Sequence, residues 1–147
     1  MLIDVIMEKR IISAELMKFM SMFEAITYVS VKDCFIDETN NLLTFIVSEG
    51  KLGKALGKKA SNIKNIENRL KRRIKVVEYN ADVKSFIKSL LFPLAVNDIL
   101  EIEQGVFQIE PQDSKTRGMI IGRNAVNLRN LEKIARRFFE INEIKVV

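Results

Sequence analysis

The chain has 147 residues, 48% of them apolar and 29% charged, with a net charge of +5, one cysteine and no histidine. That length suits one medium domain or two small ones, and the apolar share is that of a globular protein rather than a disordered chain. Without histidine there is no Cys/His zinc site and no Ser–His or Cys–His catalytic pair, and a lone Cys34 forms no intrachain disulfide, which fits a reducing compartment.

Asp4 and Glu8 interrupt the opening apolar run, which makes a poor signal peptide. No 18-residue apolar stretch follows, so no membrane partner is expected. Ser13 is a candidate helix cap, with Glu15 in the first turn where the helix dipole favours an acid. Leu16, Phe19, Met20 and Phe23 recur at helical spacing, with Met17 and Met22 widening the stripe, so this helix should face a core. Residues 28–36 are rich in β-branched and aromatic types and read as a strand, with Cys34 as a small core residue. The polar cluster 37–41 and the apolar run 42–47 complete a hairpin. Asp33, Asp37 and Glu38 are candidates for a carboxylate cluster, but a solvated turn accounts for them better, and no metal is expected.

A short helix then leads to the turn Gly57-Lys58-Lys59-Ala60 and to a helix over 61–72. Ser61 is its candidate cap and Ile63, Ile66 and Leu70 its inner stripe, which leaves Lys64, Arg69, Lys71, Arg72 and Arg73 outside or at the edge. Residues 74–79 read as a strand, and Asn80-Ala81-Asp82 as a polar break. Val83, Phe86, Ile87, Leu90 and Leu91 again follow helical spacing until Pro93 stops the helix. Strands at 96–103 and 106–111 flank Gln104-Gly105, a hairpin signal. A loop at 112–116, a short helix at 117–121, the turn Gly122-Arg123-Asn124-Ala125, a helix over 126–140 and a strand at 144–147 follow.

The two glycine turns are copies. Residues 56–67 match 121–132 at an offset of 65 without a gap, with Gly57/Gly122, Ala60/Ala125, Asn62/Asn127, Asn65/Asn130 and Glu67/Glu132 identical. Lys58/Arg123 and Lys64/Arg129 keep a positive charge, and Ile74-Lys75-Val76-Val77 returns as Ile144-Lys145-Val146-Val147. Self-similarity of this kind sets the architecture. Two units are expected, 1–79 and 80–147, each reading helix, strand, strand, helix, glycine turn, helix, strand. The fold class is therefore α+β, a small sheet with helices on one side in each unit.

Charge follows the repeat. Residues 51–75 hold ten Lys/Arg against Glu67 alone, and residues 115–147 hold eight against three acids, whereas the rest of the chain is net negative. Basic charge gathered beside two copies of one turn points to a polyanion. A glycine turn between helices exposes N–H groups at the second helix's start, and glycine lets a sugar-phosphate backbone come close. A plain helix corner with a basic surface is the competing account of a single copy; the duplication favours binding.

These residues resemble the K homology (KH) family, in the type II form that carries its extra helix at the N-terminal end. That module clamps about four nucleotides of single-stranded RNA at a G-x-x-G loop. Two such units with hardly any linker resemble the archaeal NusA-like transcription factors, through Val31-Lys32-Asp33-Cys34-Phe35-Ile36-Asp37, Ala55-Leu56-Gly57-Lys58-Lys59, Val76-Val77-Glu78-Tyr79 and Ile120-Ile121-Gly122-Arg123-Asn124. The resemblance implies two tandem KH domains, each a three-stranded sheet packed against helices. It implies binding of nascent single-stranded RNA in transcription termination, antitermination or pausing in the cytoplasm, with RNA polymerase as a candidate partner and no cofactor. Bacterial relatives add a polymerase-binding domain and an S1 domain; neither is expected in these residues, so none is assigned to polymerase.

Carried over residue by residue, the RNA site comprises Gly57, Lys58, Lys59, Ala60, Asn62 and Lys64 in one unit and Gly122, Arg123, Asn124, Ala125, Asn127 and Arg129 in the other. Ala60 and Ala125 stand where the family usually has glycine. Right-handed helical angles there would suit Ala. Affinity is expected to rest on Lys58, Lys59 and Arg123 more than on close backbone contact. Asn62 and Asn127 either reach RNA or cap backbone groups.

Three other readings fit less well. In a nucleotide-hydrolase phosphate loop the required first glycine would fall on Leu52 and the Ser/Thr on Lys59, so no catalysis is expected. A KH-type protein of the ribosome or its assembly is the second. A DNA-binding helix-turn-helix, with Asn62, Asn65, Asn127 and Asn130 toward base edges, leaves the hairpin and closing strand unexplained.

Overall fold

Helix α1 (Leu2–Thr27) opens the first unit. The structure, a computed structural model, describes residues 2–147, and of residues 4–13 the backbone alone. Because α1 starts at Leu2, Ser13 lies inside it and caps nothing. The chain divides into two units, Met1–Tyr79 and Asn80–Val147.

In the first unit α1 is followed by β1 (Val31–Asp37), β2 (Leu42–Val47), α2 (Leu52–Leu56), a 3-10 turn (Lys58–Ala60), α3 (Ser61–Leu70) and β3 (Arg73–Glu78). The sheet order is β1-β2-β3, with β1 antiparallel and β3 parallel to β2. A parallel neighbour requires a crossover, and the pair α2–α3 with the glycine turn between them supplies it. Alternation along β2 puts Leu43, Phe45 and Val47 on one face, where they meet Phe23, Ala55 and Ile66 in a buried core. Phe23 stacks on Phe45 with ring centres 4.3 Å apart. Leu16, Phe19 and Met20 pack against this core as their spacing predicts, whereas Met17 is 66% exposed and falls outside the stripe.

Tyr28 is not strand. It ends α1 in the left-handed region at φ 57, its N–H donated to the Glu24 carbonyl at 2.9 Å, so β1 starts three residues later. Cys34 is buried at 2% exposure. Burial, with Asp33 adding to it, pushes its thiol up to about 12, so it stays a neutral, unreactive packing group.

The second unit repeats the plan with α4 (Val83–Leu91), β4 (Val96–Glu103), β5 (Val106–Pro111), α5 (Ser114–Ile121), a 3-10 turn (Arg123–Ala125), α6 (Val126–Arg136) and β6 (Glu143–Val146). Its sheet order is β4-β5-β6, with β4 antiparallel and β6 parallel to β5. Phe86, Ile87, Ile99, Ile109, Ile120, Leu131 and Ile144 are buried. α4 stops at Leu91, and Phe92, held extended ahead of Pro93, ends it.

Two boundaries differ from the sequence reading for local reasons. α5 begins at Ser114, inside the expected loop, because the Asp113 carboxylate accepts the Thr116 N–H at 2.7 Å and caps the helix. α6 ends at Arg136 rather than 140. Phe138 and Phe139 leave the helix to meet the Phe86 ring, with centroids 5.3 and 5.7 Å away, and the aromatic contacts of two half-buried rings outweigh another helical turn.

The repeat also reaches further back than the matching letters. Both first strands carry a register break, between Val31 and Asp33 and between Val96 and Asp98. In each the aspartate accepts the next residue's N–H, Cys34 at 2.9 Å and Ile99 at 2.8 Å. These bulges stand 65 residues apart, like the glycine turns.

Candidate nucleic-acid interface

Each glycine turn is a reversal built from three unusual residues. Gly57 sits at φ 75, ψ 175 and Gly122 at φ 73, ψ 174, a region open essentially to glycine alone. Next but one come Lys59 (φ 54, ψ 35) and Asn124 (φ 55, ψ 30), then Ala60 (φ 57, ψ 30) and Ala125 (φ 59, ψ 24), all left-handed. The Ala60 N–H closes the turn on the Gly57 carbonyl at 3.1 Å, and Ala125 on Gly122 at 3.2 Å.

The condition that would make alanine comfortable at the fourth position is therefore not met. Ala60 and Ala125 are not right-handed helical residues, and a left-handed alanine costs roughly 1–2 kcal/mol. The family's usual glycine at this position suits the observed backbone better than the alanine present.

The asparagines common to both turns hold the corner from beneath. Asn62 Nδ2 donates to the Ala55 carbonyl at 3.2 Å and to Lys54 at 3.4 Å, and Asn127 Nδ2 donates to Met119 at 3.0 Å. Each asparagine thus caps the last carbonyls of the preceding helix, the capping half of the two roles left open above. It also explains the glycine a second time, since a Cβ on Gly57 would lie 2.9 Å from Asn62 Cγ and one on Gly122 2.6 Å from Asn127 Cγ.

Ser61 does not cap α3. It has helical angles and is the first helical residue, and the capping position belongs to Ala60. No side chain of the described residues caps α3 or α6. The first N–H groups of both helices therefore face the turn without a protein acceptor from a capping side chain, the arrangement that suits an anion.

Around these N–H groups the side chains are exposed: Lys58 and Lys59 in one turn, Arg123 and Asn124 in the other. Lys64 is exposed one helical turn along α3. Arg129, its counterpart, is 67% exposed, but one guanidinium nitrogen already holds Glu132 at 2.8 Å. The structure thus gathers Gly57, Lys58, Lys59 and Ala60 in one reversal and Gly122, Arg123, Asn124 and Ala125 in the other, with the asparagines as supports beneath.

Glu67 and Glu132 were visible as identical letters, and their job appears only in three dimensions. Glu67 Oε2 accepts the Ile74 N–H at 3.0 Å, and Glu132 Oε2 accepts the Ile144 N–H at 2.9 Å. Each ties the helix after the turn to the first residues of the closing strand. Glu132 is 2% exposed and is also paired with Arg136 at 3.6 Å.

The carboxylates at the first hairpin do local work. Asp37 accepts from the Asn40 N–H at 3.2 Å and its amide at 2.7 Å, and Glu38 meets Arg72 at 3.5 Å. Among the described residues no group of three His, Cys, Asp or Glu could hold a metal ion, and no helix is long and apolar enough to cross a membrane.

Compared with known proteins, residues 20–105 match the model of the KH domain. The chain belongs to the KH-domain family. The KH match covers the first unit's sheet and the Gly57 turn and runs on to the end of the β4–β5 hairpin turn. The probable transcription termination protein NusA of Methanocaldococcus jannaschii is 30% identical over 140 residues, covering 94% of this chain and 75% of that protein. Its namesake in Halococcus morrhuae is 25% identical over 131 residues, covering 88% and 93%. A solved structure, that of APE1850, superposes with a TM-score of 0.70 at 28% identity over 91% of this chain and 99% of the other. This is a NusA-like KH protein.

Proposed function

We propose that the chain is a single-stranded-RNA-binding factor acting on nascent transcripts in termination, antitermination or pausing. In this reading both units, 1–79 and 80–147, are KH domains of type II, and each grips RNA backbone at its glycine turn. One observation carries it: two reversals of nearly identical backbone angles, each presenting N–H groups without a side-chain cap beside exposed basic residues. The names of the archaeal relatives supply the transcriptional context. The reading is of a binding protein rather than a catalyst, working in the cytoplasm, with RNA polymerase as a further partner to which no residue is assigned.

In mechanism, phosphates approach the glycine of each turn and accept N–H groups at the start of α3 or α6, while Lys58, Lys59, Lys64 and Arg123 supply Coulomb attraction. Arg129 divides its charge with Glu132 and contributes less. The asparagines contribute by holding the corner rather than by touching RNA.

The test is binding of a labelled single-stranded RNA over a salt series, with single-stranded DNA and duplex as competitors. Lys58→Asp/Lys59→Asp is expected to weaken binding roughly ten- to a hundredfold near 0.1 M salt, and to flatten the salt slope by about 0.7 for each phosphate no longer neutralised. Arg123→Asp is expected to cost less, roughly three- to tenfold. Unchanged affinity in both variants would overturn the reading and leave the basic turns to a protein partner.

A further inference from the structure

The same unit that carries Lys58 and Lys59 has a second place with the chemistry of a nucleotide contact. At the junction of α1, β1, β2 and α2 lies a cavity of about 270 Å³ lined by Tyr28, Val29, Ser30, Ser48, Lys51 and Lys54. Val29 is buried at 3% and floors it. Tyr28 is 81% exposed. Lys51 and Lys54 are exposed, and no ion pair among the described residues engages either.

Local structure gives no reason for a tyrosine here. The position is the left-handed residue that ends α1, where glycine or asparagine is the favoured choice, and a bulky side chain at positive φ is an outlier. Its ring is not spent on a core, and the chain has only two tyrosines and no tryptophan. Of the neighbouring carboxylates, Glu24 accepts the Val31 N–H at 3.0 Å and Glu78 accepts the Gly50 N–H, while Glu49, next to Ser48, is exposed and does not line the cavity. The polar lining of the cavity is the Tyr28 ring with its phenol, two serine hydroxyls and two ammonium groups.

We propose that this cavity takes one nucleotide of the RNA strand beyond the glycine turn: a base stacks on the Tyr28 ring, Ser30 and Ser48 offer hydrogen bonds, and Lys51 and Lys54 hold the adjoining phosphate. An exposed aromatic beside basic side chains is how proteins grip single strands without reading sequence. The separation is right for a continuous strand. Lys51 and Gly57 bracket α2, and at 1.5 Å rise per residue they stand about 9 Å apart along it, a reach of one to two nucleotides. The inference rests on the RNA-binding reading above, and it adds a position that the loop alone does not provide.

The experiment measures affinity of the full chain for two labelled single strands, one of four nucleotides and one of twelve, for the parent, Tyr28→Ala, Tyr28→Phe and Lys58→Asp/Lys59→Asp. Tyr28→Ala is expected to weaken the longer strand roughly five- to a hundredfold and leave the shorter one unchanged, while Tyr28→Phe keeps parent affinity. Because the side chain is exposed, the fold should survive, which circular dichroism checks. Tyr28→Trp then introduces the only indole, and the longer strand should quench its fluorescence by stacking. If the loop variant loses RNA while Tyr28→Ala does not, and the indole is not quenched, the cavity proposal falls and the loop reading stands. If the parent binds neither strand at low salt, both fall.

Discussion

The two glycine turns share a backbone and differ in how they are supplied. In the first unit the turn follows a five-residue helix, α2, whose capping position is Lys51 and has no side-chain cap. In the second it follows the eight-residue α5, capped by Asp113. The first turn carries Lys58 and Lys59 where the second carries Arg123 and the neutral Asn124. Behind the turns, Glu67 makes one backbone bond while Glu132, buried, serves one backbone bond and two arginines. The first copy has spent its variation on charge and the second on order. A duplicated reversal can thus keep its geometry while its two versions differ in charge and in bracing.

The largest expected test of that contrast is removal of the two glutamates. Glu132→Ala should cost about 3 kcal/mol, since it strips a buried N–H of its acceptor and removes the carboxylate that Arg129 and Arg136 share, although Arg136 keeps the Ile141 and Asn142 carbonyls. Glu67→Ala should cost about 1 kcal/mol. Denaturant unfolding gives the totals, and native-state amide exchange at Ile144 and Ile74 locates them. Equal losses would break the claim that the second unit is the more heavily braced.

Next come the glycines. Gly57→Ala and Gly122→Ala should each cost about 2–3 kcal/mol from the glycine-only backbone region, with Gly122→Ala the worse because its new methyl meets Asn127 at 2.6 Å against 2.9 Å at Asn62. The reverse change should stabilise: Ala60→Gly and Ala125→Gly relieve a left-handed alanine and are expected to gain about 0.5–1 kcal/mol, read as a rise in melting temperature. A loss in either would mean that the alanine methyl packs usefully.

The smallest effect is on pH dependence and concerns the caps of α4 and α5. Hydrogen bonds from Ser85 hold the Asp82 carboxyl below the usual range, and those from Thr116 do the same for Asp113. A carboxyl depressed in the folded state adds stability that is present above its unfolded value, about pH 4, and is lost as pH falls through the folded value. Acidification below about pH 4 should therefore loosen α4 and α5 first. In Asp82→Asn/Asp113→Asn, which keeps the caps without the titration, melting temperature against pH should be flatter in that window.

Much of this was legible in the letters. The repeat made the turns and the α+β plan visible, because glycine, asparagine and basic residues recurring at one spacing need a common backbone. β4 and β5 fell where the Gln104-Gly105 turn signal placed them. What escaped reading depends on partners distant in sequence or on angles that propensity misjudges. Alanine reads as helical, yet chain reversal forces Ala60 and Ala125 left-handed. Phe138 and Phe139 continue a helical pattern, yet Phe86 draws them out of it. Asp33 reads as part of a solvated turn, and the bulge that it braces, like the one at Asp98, shows only in three dimensions. Asn62 and Asn127 left two roles open, and the capping contacts to the preceding helix needed the folded chain to be seen.

Each reversal is closed by contacts inside a handful of neighbouring residues: glycine to the fourth-position N–H, asparagine back to the helix just before. It therefore behaves as an interchangeable cassette. Residues 58–59 and 123–124 can be traded between the units without touching either core, since Lys58, Lys59, Arg123 and Asn124 are all exposed. A chain so rearranged would carry its stronger charge on the braced scaffold, and duplication followed by drift at two positions is a short route to factors with retuned grip.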